Sequence, residues 1–139
     1  MSSFKPRRRR LPARLRGQDR QRGAFTLELL TLAPLIILMF CALLQAGLWY
    51  LARGAAETAA RKGVEAGRIE GATPADGAAR ARAWLDGIGT VEDAQVSTAG
   101  STEDRVRVHV TGGVVTLVPG WDLRVSQSAE GPVERWEVD

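Results

Sequence analysis

The chain has 139 residues, a formal net charge of +3, one cysteine and one histidine. That length accommodates one small domain with additional segments. The lone cysteine, Cys41, excludes an intrachain disulfide, and with a single histidine beside it no Cys/His set for a structural metal exists.

Charge is spread unevenly. Residues 1–23 carry nine basic side chains (Lys5, Arg7, Arg8, Arg9, Arg10, Arg14, Arg16, Arg20 and Arg22) against Asp19, a net +8, so the total of +3 leaves −5 for the rest. A cationic head of this kind has two physical readings. Clustered cations bind nucleic-acid phosphates, or they hold the flank of a membrane segment on the cytoplasmic side. Phe4 is the one aromatic residue in the tract, no nucleic-acid-binding motif accompanies it, and an apolar run follows directly. The head therefore reads as a topology signal, and no nucleic-acid partner is expected.

Residues 29–52 read LLTLAPLIILMFCALLQAGLWYLA without a charge. As a helix this run measures about 36 Å, against a hydrocarbon core of about 30 Å. A core helix of a soluble protein would show a polar stripe, and this run has none of useful width. Trp49 and Tyr50, followed by Arg53, are candidate interface anchors, because an apolar ring with a polar tip favours the lipid–water boundary. The exit boundary is expected near residues 49–53, with the N-terminus cytoplasmic and residues 54–139 outside. A cleaved secretory signal is the weaker reading, since its apolar region spans only about 7–15 residues. Pro34 removes one backbone donor, a defect that membrane helices tolerate. Ala42, Ala46 and Gly47 would let a second helix approach, although the run holds no GxxxG.

Glu28 sits at the cytoplasmic edge of this run. An acid at a helix N-terminus is favoured by the helix dipole, and that alone would account for it. Its context is Arg22-Gly23-Ala24-Phe25-Thr26-Leu27-Glu28, which resembles the processing site of type IV prepilin-like proteins, with Phe second rather than first after the glycine. Over residues 22–68, Glu28, Pro34, the Gln45-Ala46-Gly47 group and the helix AAETAARKGVEAGR together resemble the TadE-like pseudopilins of the tight-adherence pilus system. The resemblance implies removal of a short leader after Gly23 by a prepilin peptidase, Ala24 as the new terminus, and Glu28 as the fifth mature residue. It also implies the bilayer, other pilin or pseudopilin subunits and pilus platform proteins as partners. Ala24 and Glu28 are one helical turn apart, so the acid could neutralise its own amine or a neighbour's. Pairing between subunits would fix their axial register, because an unpaired buried charge is expensive.

Beyond the run, residues 53–70 are rich in Ala, Glu and Arg and favour a helix that continues the membrane segment, with Gly54, Gly63 and Gly67 lowering its stability and Ala55, Ala59 and Ala66 forming a small-residue face. Gly71-Ala72 breaks it. Thr73 as N-cap, Pro74 at the first position and Asp76 three residues after the cap start a second helix, ended by Gly87 and Gly89. Ala79, Ala83, Trp84 and Leu85 are its expected apolar side. Alternation over residues 94–97 and 105–110 marks strands, Gly112-Gly113 marks a hairpin, residues 114–118 return, Pro119-Gly120 turns, and Trp121, Leu123 and Val125 alternate again before a tail with Val133 and Trp136.

The fold class is α+β: a single N-terminal transmembrane helix continuing into an extracytoplasmic helix, then a short helix and a small antiparallel sheet of three or four strands. The organisation is a basic leader (1–23), a transmembrane helix (24–52), a helical region (53–89) and a β-rich domain (90–139). The outer part is small enough to be marginal alone. His109 on a polar strand face reads as a solvated residue, and Glu92-Asp93 and Glu103-Asp104 read as turn residues. No enzyme activity and no cofactor are expected. The expected function is that of a membrane pseudopilin acting by helix packing and subunit assembly. The alternative is a signal-anchored single-pass envelope protein whose small outer domain binds a ligand.

Overall fold

The computed structural model describes residues 15–135. The arginines of residues 1–14 and Trp136 lie outside them, and so do the side chains of residues 15–25 and of Leu27. Five elements follow in order: α1 (Leu15–Gly67), α2 (Pro74–Ile88), β1 (Val91–Ser97), β2 (Arg105–Val114) and β3 (Arg124–Pro132). The α+β class is as expected, with a long apolar N-terminal helix, a short second helix and a three-stranded antiparallel sheet ordered β1-β2-β3. The chain divides into two compact units, Met1–Phe40 and Cys41–Asp139.

The first unit contributes the N-terminal part of α1. Its described large apolar side chains, among them Leu35, Ile37, Leu38 and Phe40, are exposed. Pro34 lies inside the helix. The stretch Glu28–Gly67 is long and apolar enough to cross a membrane, and only 6% of its most apolar window is buried within the protein. Apolar surface on every side of a helix is stable only in an apolar surrounding.

The second unit begins at Cys41, inside the run read as lipid-embedded, and it draws Gln45 and Ala52 into its interior. The buried face of α1 is built from small residues: Ala52, Ala56, Ala59, Ala60, Gly63 and Gly67, joined by Val64. These recur at helical spacing. The face differs from the expected one, since Ala55 and Ala66 are only half-buried. Bulk comes from the opposing sheet, where Val106, Val108 and Val110 of the central strand are almost wholly enclosed.

Gly63 and Gly67 do more than weaken the helix. A Cβ on Gly63 would come within 2.9 Å of the Gly77 carbonyl oxygen, and one on Gly77 within 2.5 Å of the Gly63 carbonyl oxygen. α1 and α2 therefore approach backbone to backbone, and no side chain larger than hydrogen fits there. At Gly67 a Cβ would meet Val106, and at Gly63 it would also meet Val108. β2 thus advances along α1 in the opposite direction, from Gly67 back towards the start of the unit.

α2 starts as read from the sequence. The Asp76 N–H donates to the Thr73 hydroxyl (3.3 Å), while the Thr73 N–H and hydroxyl donate to the Asp76 carboxylate (2.8 and 2.7 Å). The hydroxyl bond first, and the backbone bond second, hold the Asp76 carboxyl below its usual range. Gly89, in the left-handed conformation, ends the helix by donating to the Leu85 carbonyl. The buried side is Gly77, Ala78, Ala81 and Leu85, so the expected face is corrected. Ala79 and Ala83 are exposed and Trp84 is half-buried, because the Gly77 crossing sets the rotation of the helix.

The expected hairpin at Gly112-Gly113 is also corrected. Both glycines lie within β2, Gly112 opposite Val125 and Gly113 opposite Glu92 and Arg124. Their role is to admit a bulge in the neighbouring strand. The β1–β2 register slips by one residue between Glu92 and Gln95, and Asp93 there adopts φ +48. A Cβ on Gly112 would collide with Val91 and crowd the Glu92 carbonyl. The extra residue lets Val91 and Val96, five apart, both face the core. β2 connects to β3 through residues 115–123, with the turn at Pro119-Gly120 and Gly120 at φ +88.

Candidate functional site

The candidate site residues fall in both units. Gly23 and Ala24 lie in α1, and Ala24 and Glu28 are four residues apart on this uninterrupted helix, the spacing that an amine–carboxylate contact on one face requires. Glu28 and Pro34 are exposed. Trp49 and Tyr50 belong to the second unit. Trp49 is half-buried against the core, its ring 5.5 Å from the Arg53 guanidinium carbon, a cation–π distance. Tyr50 is exposed and shares a shallow surface depression with Arg53 and Glu57. Gly23, Ala24, Glu28 and Pro34 thus fall in the first unit, and Trp49 and Tyr50 in the second.

A further candidate residue is Gln45, the one buried polar side chain among the described residues. Its amide nitrogen donates to the Val115 carbonyl (3.2 Å), and its amide oxygen accepts from the Leu117 N–H (2.8 Å). The side chain therefore pairs with the chain leaving β2 as a neighbouring strand would, seventy residues away in sequence. Both partners are backbone groups that would otherwise be unsatisfied in an apolar setting, a loss of about 1–3 kcal/mol each. A lone amide in a charge-free apolar run was the available signal, since such a group is retained only where it finds a partner.

The polar face of the sheet carries a charge cluster. Glu130 accepts two bonds from Arg107 (3.0 and 2.6 Å) and one from Arg105 (3.3 Å). The Arg107 hydrogen bonds, then its charge and that of Arg105, hold the Glu130 carboxyl below its usual range. His109 lies on the same face, its Nε2 3.3 Å from the Ser126 hydroxyl. Cross-strand pairing of opposite charges on a solvated face accounts for this arrangement. Among the described residues no three His, Cys, Asp or Glu side chains converge as metal ligands would.

Within α1 a long exposed apolar stretch that begins at Glu28, followed by a small-residue stretch docked on a sheet, makes one candidate membrane span among the described residues, near the N-terminus. Residues 23–65 match the family model of the TadE-like protein. The match covers Glu28, Pro34, Gln45 and the Ala/Gly stretch through Gly63, so this segment of the chain is similar to TadE-like proteins. No curated protein and no solved structure matches.

Proposed function

We propose that this chain is a single-pass membrane pseudopilin that acts in assembly of a tight-adherence type pilus or a related secretion system. The observation that carries this reading is the coincidence of the TadE-like match over residues 23–65 with a stretch of α1, Glu28–Gly67, long and apolar enough to cross a membrane and headed by an acid. The +8 head stays on the cytoplasmic side and the sheet lies outside. A prepilin peptidase cuts after Gly23, freeing the amine of Ala24. Glu28, one turn on, pairs with that amine or with a sister subunit's, and Pro34 loosens the helix one and a half turns further along. The role is one of packing: lateral association with pilin-like helices and contact with platform proteins, without catalysis and without a cofactor.

Mass spectrometry of the membrane-extracted protein tests the first step. A mature chain starting at Ala24 is expected; an intact arginine-rich leader favours the signal-anchored envelope protein instead. Glu28→Gln tests the second. It is expected to lower co-purification with pilus components about tenfold while leaving membrane insertion unchanged. Undiminished association and surface assembly in that variant would remove the register role of Glu28.

A further inference from the structure

The loop of residues 115–123 is apolar where a water-exposed connection would be polar. Val115, Leu117 and Trp121 are 39%, 47% and 57% exposed, and residues 110–121 contain no charge. In water such a cluster is unfavourable and marks a surface with a partner.

Its level along α1 follows from the register of the unit. Val106 lies against Gly67, and β2 runs back along the helix from there. The nine residues from Val106 to Val115 cover about 30 Å as strand. The twenty-two from Gly67 to Gln45 cover about 33 Å as helix. The loop accordingly arrives level with Gln45, where the two amide bonds hold it. Gln45 lies inside the charge-free run, and the roughly 20 residues that span a hydrocarbon core, counted from Leu29, end at Leu48.

We propose that residues 115–121 form a membrane-inserted wedge, with Val115, Leu117 and Trp121 covered by the acyl chains of the leaflet nearest the globular unit. This rests on the membrane reading of α1. Leu117 shares an open apolar groove with Leu43, Leu44 and Leu51, and Trp121 shares another with Trp49. The apolar surface passes from loop to helix, and neither groove is lined by a charged residue. Trp121, next to Asp122 and beside Trp49, takes the boundary position that amphipathic rings favour. Irregular backbone is tolerated at this depth only where its polar groups are paired. Four of the wedge's backbone groups are paired within the protein: the Val115 carbonyl and Leu117 N–H bond to Gln45, and the Trp121 N–H donates to the Val118 carbonyl (3.3 Å); just ahead of it the Val114 N–H donates to the Leu123 carbonyl (2.9 Å), and Pro119 has no N–H to satisfy. Gln45 thus serves two of those four groups and ties the loop to the span.

The test uses the full chain in phosphatidylcholine–phosphatidylglycerol vesicles with brominated acyl chains, in a Cys41→Ala background. A polarity-sensitive fluorophore is attached at Leu117→Cys, at Leu38→Cys in the span, or at Ser128→Cys on the polar sheet face; near-UV circular dichroism checks that each variant is folded. Quenching at 117 of at least twofold, close to that at 38, with none at 128, is the expected result. Quenching at 38 but not at 117 overturns the wedge and leaves the membrane reading standing. No quenching at 38 overturns both. Efficient disulfide cross-linking between Leu117→Cys copies would assign the surface to a second copy and overturn the lipid proposal.

Discussion

Two stretches of one helix, residues 29–40 and 52–67 of α1, show how a neighbour selects side chains. In the first, large residues point outward on every side and stay exposed. In the second, every third or fourth position is Ala or Gly, and those positions are buried. A fluid apolar surrounding accepts a leucine in any direction, so no stripe is needed. A rigid sheet and a crossing helix accept only what their surfaces leave room for, so the helix becomes thin and the valines of β2 supply the volume. Apolar character alone does not separate these two situations; side-chain size does.

The largest effect expected from probing this contrast is at the helix crossing. Gly77→Val drives a branched side chain into the Gly63 backbone and should cost about 3 kcal/mol, read as a lowered urea midpoint of the detergent-solubilised protein. Gln45→Leu keeps the size and the apolar character of the run but orphans Leu117 N–H and Val115 C=O. A loss of about 2 kcal/mol is expected, with new proteolytic cleavage within residues 115–121. The Asp76 effect is smaller and depends on pH. Its folded carboxyl lies below the unfolded value of about 3.9. The stabilisation is therefore present above that value and lost as pH falls through the lower, folded one. Thermal unfolding of wild type and Asp76→Asn should differ near neutrality, and the difference should shrink progressively as pH falls below about 4. Leu38→Ala, in the exposed stretch, should change the stability of the globular unit by less than about 0.5 kcal/mol in the same urea experiment. A large effect there would mean that the two stretches are not distinct environments.

Much of the architecture was legible in the chain. The apolar run, the Thr73-Pro74-Asp76 start of α2 and the alternation of Val106, Val108 and Val110 each carry a local signal that the structure repeats. What was not legible depends on partners distant in sequence. Gly112-Gly113 has the composition of a turn, and only the bulge opposite it in β1 makes it a strand interior. Gly63 and Gly67 read as helix-weakening until Gly77 is brought against them, although their GxxxG spacing was a usable sign of close approach. Gln45 stood in a recognisable group, yet its bonds join residues seventy apart. Of the candidate site, Ala24 and Glu28 could be read because their relation is one turn of a helix, which sequence spacing alone defines.

The last described residues run beside the end of α1. The Glu134 N–H donates to the Arg68 carbonyl (2.9 Å), and the Arg68 and Glu134 side chains form an ion pair at 2.8 Å. Arg68 and Glu134 therefore lie at the pole opposite Gln45, roughly a full helix segment of 30 Å away. A reporter inserted next to Arg135 would sit at that pole and leave the clamped loop untouched.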